Sequence, residues 1–506
     1  MANDQIAAKP SSYSPFDTEY LKMDLKGRSL RSGAVTLISQ GLLFLMHIGS
    51  TMILARLLTP QDYGIISMVA AITGFARIFS DLGLSTATIQ CDEINHEQVS
   101  TLFWINVGLG TLIAVIVAAI SPAVAWFYKT PQLVWVTMAL SLNFLITGLA
   151  VQHQALLTRQ MQFYTIAKVR IFSTLIGIAV AISMAIHGYR YWALVFNTIT
   201  ASASSVVCFW LISKWRPGLP HRNSRVRPML RFGSDISGFN IINYFARNLD
   251  NILIGRYCGS GALGFYSKAY QLLMMPITNL RSPMDKVAMP SLSRLQNEPV
   301  RYRNYYMKYL SILSFVSMPL VVFMFVCSDS IINIVLGPQW MEASEIFKIL
   351  AFVALIQPVG SSRGLVLLST GNSRRYLILG AATAFLISIS FFMGIPWGAK
   401  GVAMAYAIAV YLVLFPFLFL SFQNTPVGVH HFLNAIKKPF VASLVMGVIC
   451  YILVSNMKDM NNIVSLISCF VASLFTYLGS IVILSGGLKD LREYHEYLKL
   501  ILSKNK

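Results

Sequence analysis

The chain has 506 residues, of which 56% are hydrophobic and only 12% are charged, and its mean hydropathy is +0.62. This composition excludes an ordinary soluble globular protein, in which a polar surface covers the apolar core. Lys and Arg number 40 against 20 Asp and Glu. Because these cations lie in short loops between apolar runs, and not together on one soluble surface, they do not indicate nucleic-acid binding.

The apolar runs have about 20 residues, the length of a helix that crosses a bilayer. A β-barrel would show shorter, alternating segments, so the pattern predicts an all-α membrane protein with about 14 transmembrane helices. Residues 1–32 are polar and resemble no cleaved signal peptide; we expect a cytoplasmic N-terminal segment. The predicted spans are 33–56, 63–84, 101–126, 133–153, 166–187, 191–213, 233–257, 262–282, 308–328, 346–370, 376–396, 400–421, 439–456 and 463–485.

The distribution of Lys and Arg predicts the orientation. With residues 1–32 inside, most of the cations fall on cytoplasmic segments and few on outer loops, as the positive-inside rule requires. Both termini are then cytoplasmic. The strongest basic clusters follow the sixth and eighth spans, where topology and attraction to anionic lipid headgroups explain them without a substrate.

An internal repeat divides the chain. Residues Ile53 to Arg56, Gly64 and Ser67 recur as Leu253 to Arg256, Gly264 and Ser267 at a constant offset of 200 residues. Six-helix repeats enter the membrane in the same orientation, and transporters of that type bind substrate between their lobes near mid-membrane. The predicted domains are an N-lobe 33–213, a basic cytoplasmic linker 214–232, a C-lobe 233–421, an appended helix pair 422–485 and a cytoplasmic tail 486–506.

Four cations interrupt the spans. A charged side chain at mid-bilayer costs about 2.5–3.5 kcal/mol on insertion scales, so it persists where it faces water, a partner or a substrate. Arg77 has Asp81 one helical turn away, and Arg247 has Asp250. These two pairs are equally well explained as structural ion pairs. The candidate cavity cations for an anionic substrate are Arg77, Arg247, Lys268 and Arg363.

Polar side chains accompany these cations. The seventh span is polar on several faces, and we expect it to line the cavity. Amide and hydroxyl groups suit sugar hydroxyls, although such groups also form hydrogen bonds between neighbouring helices. The candidate polar residues of the cavity are Asn240, Asn243, Asn251, Gln152, His153, Gln357 and Ser362.

Three residues could couple transport to the movement of an ion. His47 could shuttle protons, and Asp81 or Asp250 could bind Na⁺ or H⁺. The chain has no phosphate-binding GxxxxGK[ST] segment, and its six cysteines have no metal-type spacing. No other cofactor and no metal is therefore indicated.

Several segments carry a family resemblance: ILARLLTPQDYG, DLGLSTATIQ, ILIGRYCGSGALGFYSKAYQL and IVLGPQWMEASEIFKILA. The chain resembles the Wzx-type polysaccharide flippases, in the group that includes the colanic acid exporter, within the MOP superfamily of MATE exporters and the lipid II flippase. The resemblance implies a V-shaped, two-lobed helical transporter of the bacterial cytoplasmic (inner) membrane. It would flip undecaprenyl-pyrophosphate-linked oligosaccharide for lipopolysaccharide or exopolysaccharide synthesis, surrounded by membrane lipids and working with a polymerase and a chain-length regulator.

Two other functions compete with a flippase. A MATE-like exporter of small cationic molecules needs an excess of acids within the membrane, whereas cations dominate here. A membrane-embedded glycosyltransferase or ligase typically pairs acids in a large outer loop, and the predicted outer loops are short. We therefore expect a transporter and no enzyme.

Overall fold

The computed structural model describes Phe16 and residues 25–80, 83–91, 93–221, 227–457 and 462–487. All regular elements in these ranges are helices. In addition to two short 3₁₀ turns, Pro338–Trp340 and Ile395–Trp397, the helices are α1 Leu25–Leu57, α2 Pro60–Arg77, α3 Leu84–Gln90, α4 His96–Ala119, α5 Ser121–Tyr128, α6 Leu133–Gly148, α7 Val151–Arg159, α8 Phe163–Ile186, α9 Trp192–Ile212, α10 Arg227–Arg294, α11 Pro299–Val326, α12 Ser328–Val335, α13 Met341–Gly360, α14 Arg363–Ser369, α15 Ser373–Gly394, α16 Gly398–Phe422, α17 Val429–Asn456 and α18 Asn462–Ser485.

Ten helical stretches among the described residues are long and apolar enough to cross a membrane. One of them, Ser373–Phe422, contains both α15 and α16. The helices α2 and α10 are not among the ten. The helix α2 has only 18 residues and carries Asp62 and Arg77 near its ends, and charged residues recur along α10. The prediction of an all-α, multi-pass membrane protein is confirmed, and the number 14 stays a prediction.

The helix α10 covers two predicted spans, 233–257 and 262–282. Gly259 interrupts it with φ 85° and ψ 176°, a conformation that glycine adopts without steric cost. The break lies where the sequence predicts the loop between these spans. Elsewhere the boundaries shift: α1 begins at Leu25, before residue 33, and the predicted span 133–153 is divided between α6 and α7.

Contacts between Cα atoms divide the chain into two units. Unit 1 comprises Met1–Ser50 and Ile72–Ile241, and unit 2 comprises Thr51–Ala71 and Ile242–Lys506. In unit 1, α8 packs along α9 and α4 along α6; in unit 2, α11 packs along α17 and α15 along α16. The predicted lobes come from the sequence repeat, a different criterion from contacts, and their boundaries stay a prediction.

The segment Thr51–Ala71, called here the crossing segment, contains the end of α1 and most of α2. Local chemistry defines its turn: Asp62 accepts hydrogen bonds from the backbone N–H of Thr59 (2.9 Å) and from its hydroxyl (2.7 Å), and Pro60 occupies the first position of α2. A capped helix start with proline at its first position stops α1 and starts α2 within three residues.

Side chains from the turn before α13 hold the end of α1 within unit 2. Trp340 Nε1 donates to the carbonyl of Ala55 (2.8 Å), and Gln339 Nε2 donates to that of Leu58 (3.0 Å). Arg56 in turn donates from Nη2 to the carbonyl of Ile334 (2.8 Å). These bonds satisfy carbonyls that the last turn of a helix leaves without partners.

The crossing segment also meets the second half of α10 through the repeated residues. A Cβ at Gly64 would collide with the carbonyl of Ser260, and a Cβ at Gly264 would collide with the carbonyl of Pro60. Pro60 and Gly64 correspond to Ser260 and Gly264 at the 200-residue offset. The two contacts are therefore equivalent, and each repeat places its glycine against the carbonyl of the other. Ser67 and its counterpart Ser267 lie at its centre, with their hydroxyl oxygens 3.0 Å apart.

Candidate substrate-binding site

A cavity of about 170 Å³ lies within unit 2 among α13, α14, α15 and α16. Its wall combines aliphatic side chains with polar groups from Gln357, Ser361, Thr383 and Tyr406. The cation on this wall is Arg363. An amide, hydroxyls and a guanidinium in an apolar surround form a site suited to an anionic, hydroxyl-rich ligand.

Neutral groups position the guanidinium of Arg363. Its Nη2 donates to Thr383 Oγ1 at 3.0 Å, and its central carbon lies 5.4 Å from the centre of the Phe417 ring. A threonine hydroxyl and an aromatic face hold the cation without neutralising it. Arg363 therefore keeps a net positive charge beside the cavity.

Asp250 in α10 is 5% exposed and connects to the same wall through tyrosines. Its carboxylate accepts hydrogen bonds from Tyr266 Oη and from the backbone N–H of Asn251, both at 2.8 Å. Tyr266 stacks on Tyr270, with ring centres 6.4 Å apart, and Tyr270 contacts Tyr406. A carboxylate is thus connected to the wall of the cavity through the Tyr266 hydroxyl and the stacked ring of Tyr270.

Arg247 lies one turn before Asp250, and its side chain is exposed. It is within electrostatic range of Tyr270 and Tyr406. The carboxylate of Asp250 makes its hydrogen bonds to Tyr266 and Asn251. These bonds account for the buried carboxylate without an ion pair to Arg247. The structure therefore places Arg247, Asp250, Gln357 and Arg363 of the predicted set around one polar cluster.

Other predicted residues of unit 2 lie elsewhere. Ser362 is fully buried and pairs with the hydroxyl of Tyr306 at 2.7 Å; its neighbour Ser361 lines the cavity. Asn251 is half-buried, and its Oδ1 has no hydrogen-bond partner among the residues described. Lys268 bonds to Gln271 Oε1 at 3.0 Å, and its ammonium lies 4.2 Å from the centre of the Tyr63 ring.

In unit 1, Gln152 and His153 lie in the core. Both are 0% exposed. Gln152 accepts a hydrogen bond from Thr88 at 2.9 Å, and His153 stacks on Trp210 with ring centres 4.8 Å apart. These contacts match the alternative of hydrogen bonding and packing between helices.

His47 lines a second cavity, of about 400 Å³, within unit 1. The sequence analysis did not name its cation, Arg170 in α8. Its spacing carried a signal, because Arg170, Ser173 and Thr174 are three and four residues apart and share one helix face. The same reasoning missed Tyr266 and Tyr270, which are four residues apart in α10.

The remaining predicted residues are only partly described. Arg77 is the last residue of α2, and its side chain is exposed. Asp81 lies outside the described residues, as do the side chains of Asn240 and Asn243. The Arg77–Asp81 pair and ion coupling at Asp81, Asp250 or His47 stay predictions. No group of three or more His, Cys, Asp or Glu able to hold a metal occurs in the ranges described.

Comparison with known proteins identifies a family. Residues 53–345 match the family described as "Polysaccharide biosynthesis protein". The chain is 29% identical over 433 residues to the teichuronic acid biosynthesis protein TuaB of Bacillus subtilis, covering 84% of this chain and 89% of the relative. It is 26% identical over 409 residues to the lipopolysaccharide biosynthesis protein WzxC of Escherichia coli, covering 80% of each.

Solved structures share the fold. The lipid II flippase MurJ in an inward closed conformation superimposes with a TM-score of 0.70 at 14% identity, over 91% of this chain and 99% of MurJ. An inward-facing MATE multidrug resistance transporter superimposes with a TM-score of 0.59 at 13% identity, over 78% and 94%. These likenesses establish the MurJ and MATE type of architecture.

Proposed function

Because the chain belongs to the polysaccharide biosynthesis protein family, we propose that it is a flippase for undecaprenyl-pyrophosphate-linked oligosaccharide repeat units. The observation that carries the proposal is the cavity in unit 2, where Arg363 lies beside Gln357, Ser361 and Tyr406 in an apolar surround. A cation with hydroxyl and amide neighbours can replace water around phosphates and sugars. The lipid tail meanwhile stays in the bilayer.

Relatives support the same class of substrate. TuaB and WzxC are named for teichuronic acid and lipopolysaccharide biosynthesis, and ExoT of Rhizobium meliloti, 21% identical over 408 residues, is named a succinoglycan biosynthesis transport protein. Alternating access would move the headgroup through a cationic cavity to the outer leaflet. A polymerase and a chain-length regulator would then act on the flipped units.

Deletion of the gene tests the proposal. We expect lipid-linked repeat units to accumulate on the inner leaflet and exported polysaccharide to fall, with both effects reversed by the gene in trans. Extraction and mass spectrometry of the undecaprenyl-linked glycans measure the accumulation. Unchanged levels of lipid-linked units with lost drug resistance would instead favour a MATE-like exporter, and glycosyl transfer by the purified protein alone would favour a transferase.

The proposed location is the bacterial cytoplasmic membrane with both termini inside. The turn between α1 and α2 and the turn before α13 would then face outward. A reporter enzyme that works only in the periplasm should be active when it is fused after Thr59 or after Gln339. A reporter that works only in the cytoplasm should be active when it is fused after Lys214. The opposite pattern would reverse the orientation.

A further inference from the structure

Three cysteines that are far apart in the sequence meet in the interior of unit 2. Cys327 lies between α11 and α12, Cys450 lies in α17 and Cys469 lies in α18, and the three residues are 2%, 0% and 1% exposed. Cys327 Sγ donates to Cys469 Sγ at 3.2 Å, and Cys450 Sγ lies 3.8 Å from the carbonyl oxygen of Cys469. Four helices of unit 2 therefore join at one cluster of thiols.

The geometry of the cluster favours a bond between two sulfurs over a bound metal. Structural metal sites built from thiolates place about four ligands around one ion, and no group able to hold a metal occurs in the part of the chain that the structure describes. The sulfurs of Cys327 and Cys469 are 3.2 Å apart. Because the sulfurs of a disulfide are about 2.05 Å apart, an approach of roughly 1 Å converts this contact into a bond.

The location of the pair favours a lasting disulfide. In the proposed orientation α11 ends and α18 begins on the periplasmic side, and Cys469 lies about 10 Å along the axis of α18 from Asn462. Glutathione and thioredoxin keep cytoplasmic thiols reduced, whereas disulfides persist in the bacterial periplasm. A disulfide near the outer surface is therefore remote from the cytoplasmic reductants.

The burial of the pair restricts the oxidant. A protein oxidoreductase or a charged reagent cannot reach side chains that are so little exposed, whereas hydrogen peroxide is neutral and little larger than water. Peroxide oxidises one thiol to a sulfenic acid with release of one water, and the sulfenic acid condenses with a neighbouring thiol with release of a second water. In total the O–O bond and two S–H bonds break, one S–S bond forms, and peroxide takes up the two electrons.

We propose that Cys327 and Cys469 are a site of oxidative modification, at which hydrogen peroxide forms a disulfide between the start of α12 and α18. The two residues are 142 positions apart, and the chain between them contains α12 to α17. A cross-link over so long a loop stabilises the folded protein, since it restricts the unfolded chain. The disulfide would fix α18, which packs on α17 and α12, to the rest of unit 2. This proposal does not depend on the flippase function.

Thiol counting on the purified full-length protein tests the site. Treatment with hydrogen peroxide should remove two of the six thiols that a maleimide labels after denaturation, and a reductant should restore both. Mass spectrometry of the digested protein should identify the peptide pair that contains Cys327 and Cys469. Cys327→Ala should abolish the loss of the thiol pair. Cys258→Ala is the matched control, because Cys258 lies in α10 and is half-buried, and it should leave the disulfide intact.

Three results would overturn the proposal. The first is that peroxide removes no thiol, which would make the cluster a packing contact only. The second is that Cys327→Ala loses the same two thiols as the unmodified sequence. The third is a disulfide between Cys450 and Cys469 in the unmodified sequence. Cys450→Ala should keep the disulfide, because the Cys450 sulfur approaches a carbonyl oxygen of Cys469.

Thermal unfolding gives a second measurement of the same bond. Peroxide should raise the melting temperature by roughly 2 °C or more, and a reductant should reverse this rise. Cys469→Ala should show no rise with peroxide, and its melting temperature without peroxide separates lost packing from the lost disulfide. A disulfide that forms without raising the melting temperature would overturn the stabilising role. Neither measurement needs transport, so a failure of this site is distinguishable from a failure of the flippase function.

Discussion

Replacement of Arg363 by alanine is expected to lower polysaccharide export roughly 10- to 150-fold. A hydrogen bond to a charged group contributes about 1.5–3 kcal/mol, and this range of energy corresponds to that range of rates. Arg363 is held by Thr383 and the face of Phe417, and neither partner cancels its charge. Its loss removes the positive charge from the cavity wall, and no carboxylate among the described residues loses an ion-pair partner. Exported polysaccharide per cell, measured at matched protein levels in the membrane, checks the prediction.

Two variants make this result specific. Lys400→Ala is the control for charge alone, because Lys400 forms an exposed ion pair with Glu345 and exposed pairs contribute little; it should export normally. Arg363→Lys keeps the charge and loses the planar fork, so partial export is expected. Normal export by Arg363→Ala would remove Arg363 from the transport path.

Cysteines at positions 67 and 267 are expected to form a disulfide that stops export. The two serine oxygens are 3.0 Å apart, so cysteine sulfurs at these positions need only a small shift to reach bonding distance. Around them, Gly64 and Gly264 place the two backbones in direct contact. Position 67 lies in the predicted N-lobe and position 267 in the predicted C-lobe, and alternating access, as proposed, moves these lobes against one another. Mild oxidation of Ser67→Cys/Ser267→Cys should therefore reduce export at least tenfold, and a reductant should restore it.

The single variants Ser67→Cys and Ser267→Cys are the controls, since neither can form this bond. Gly64→Leu provides an independent test, because its side chain cannot fit against Ser260 and cross-linking in the double-cysteine background should fall. Gly108→Leu is the matched change at a glycine where an added Cβ meets nothing within 4 Å. Full export by the cross-linked protein would mean that this contact stays closed throughout transport.

The value of the sequence predictions differed between residue types. Arg363 and Gln357 could be recognised because a charge or amide inside an apolar run is unusual wherever its helix packs. Arg170 lies nearer the end of its span, where snorkelling to the headgroups is an adequate explanation, and only the cavity beside it distinguishes the two cases. The side chains of Gln152 and His153 contact Thr88 and Trp210, and their assignment to the cavity stays a prediction.

The sequence by itself determined that this protein is helical and crosses the membrane many times, because hydropathy over about 20 residues is a local property. It also revealed the repeat that relates Gly64 to Gly264. Only the tertiary structure decided that these glycines touch across 200 residues, that Asp250 bonds to Tyr266, and that Arg170 opens onto a cavity. The reason is that the rotation of each helix depends on its neighbours, and one helix's own sequence does not specify which neighbours those are.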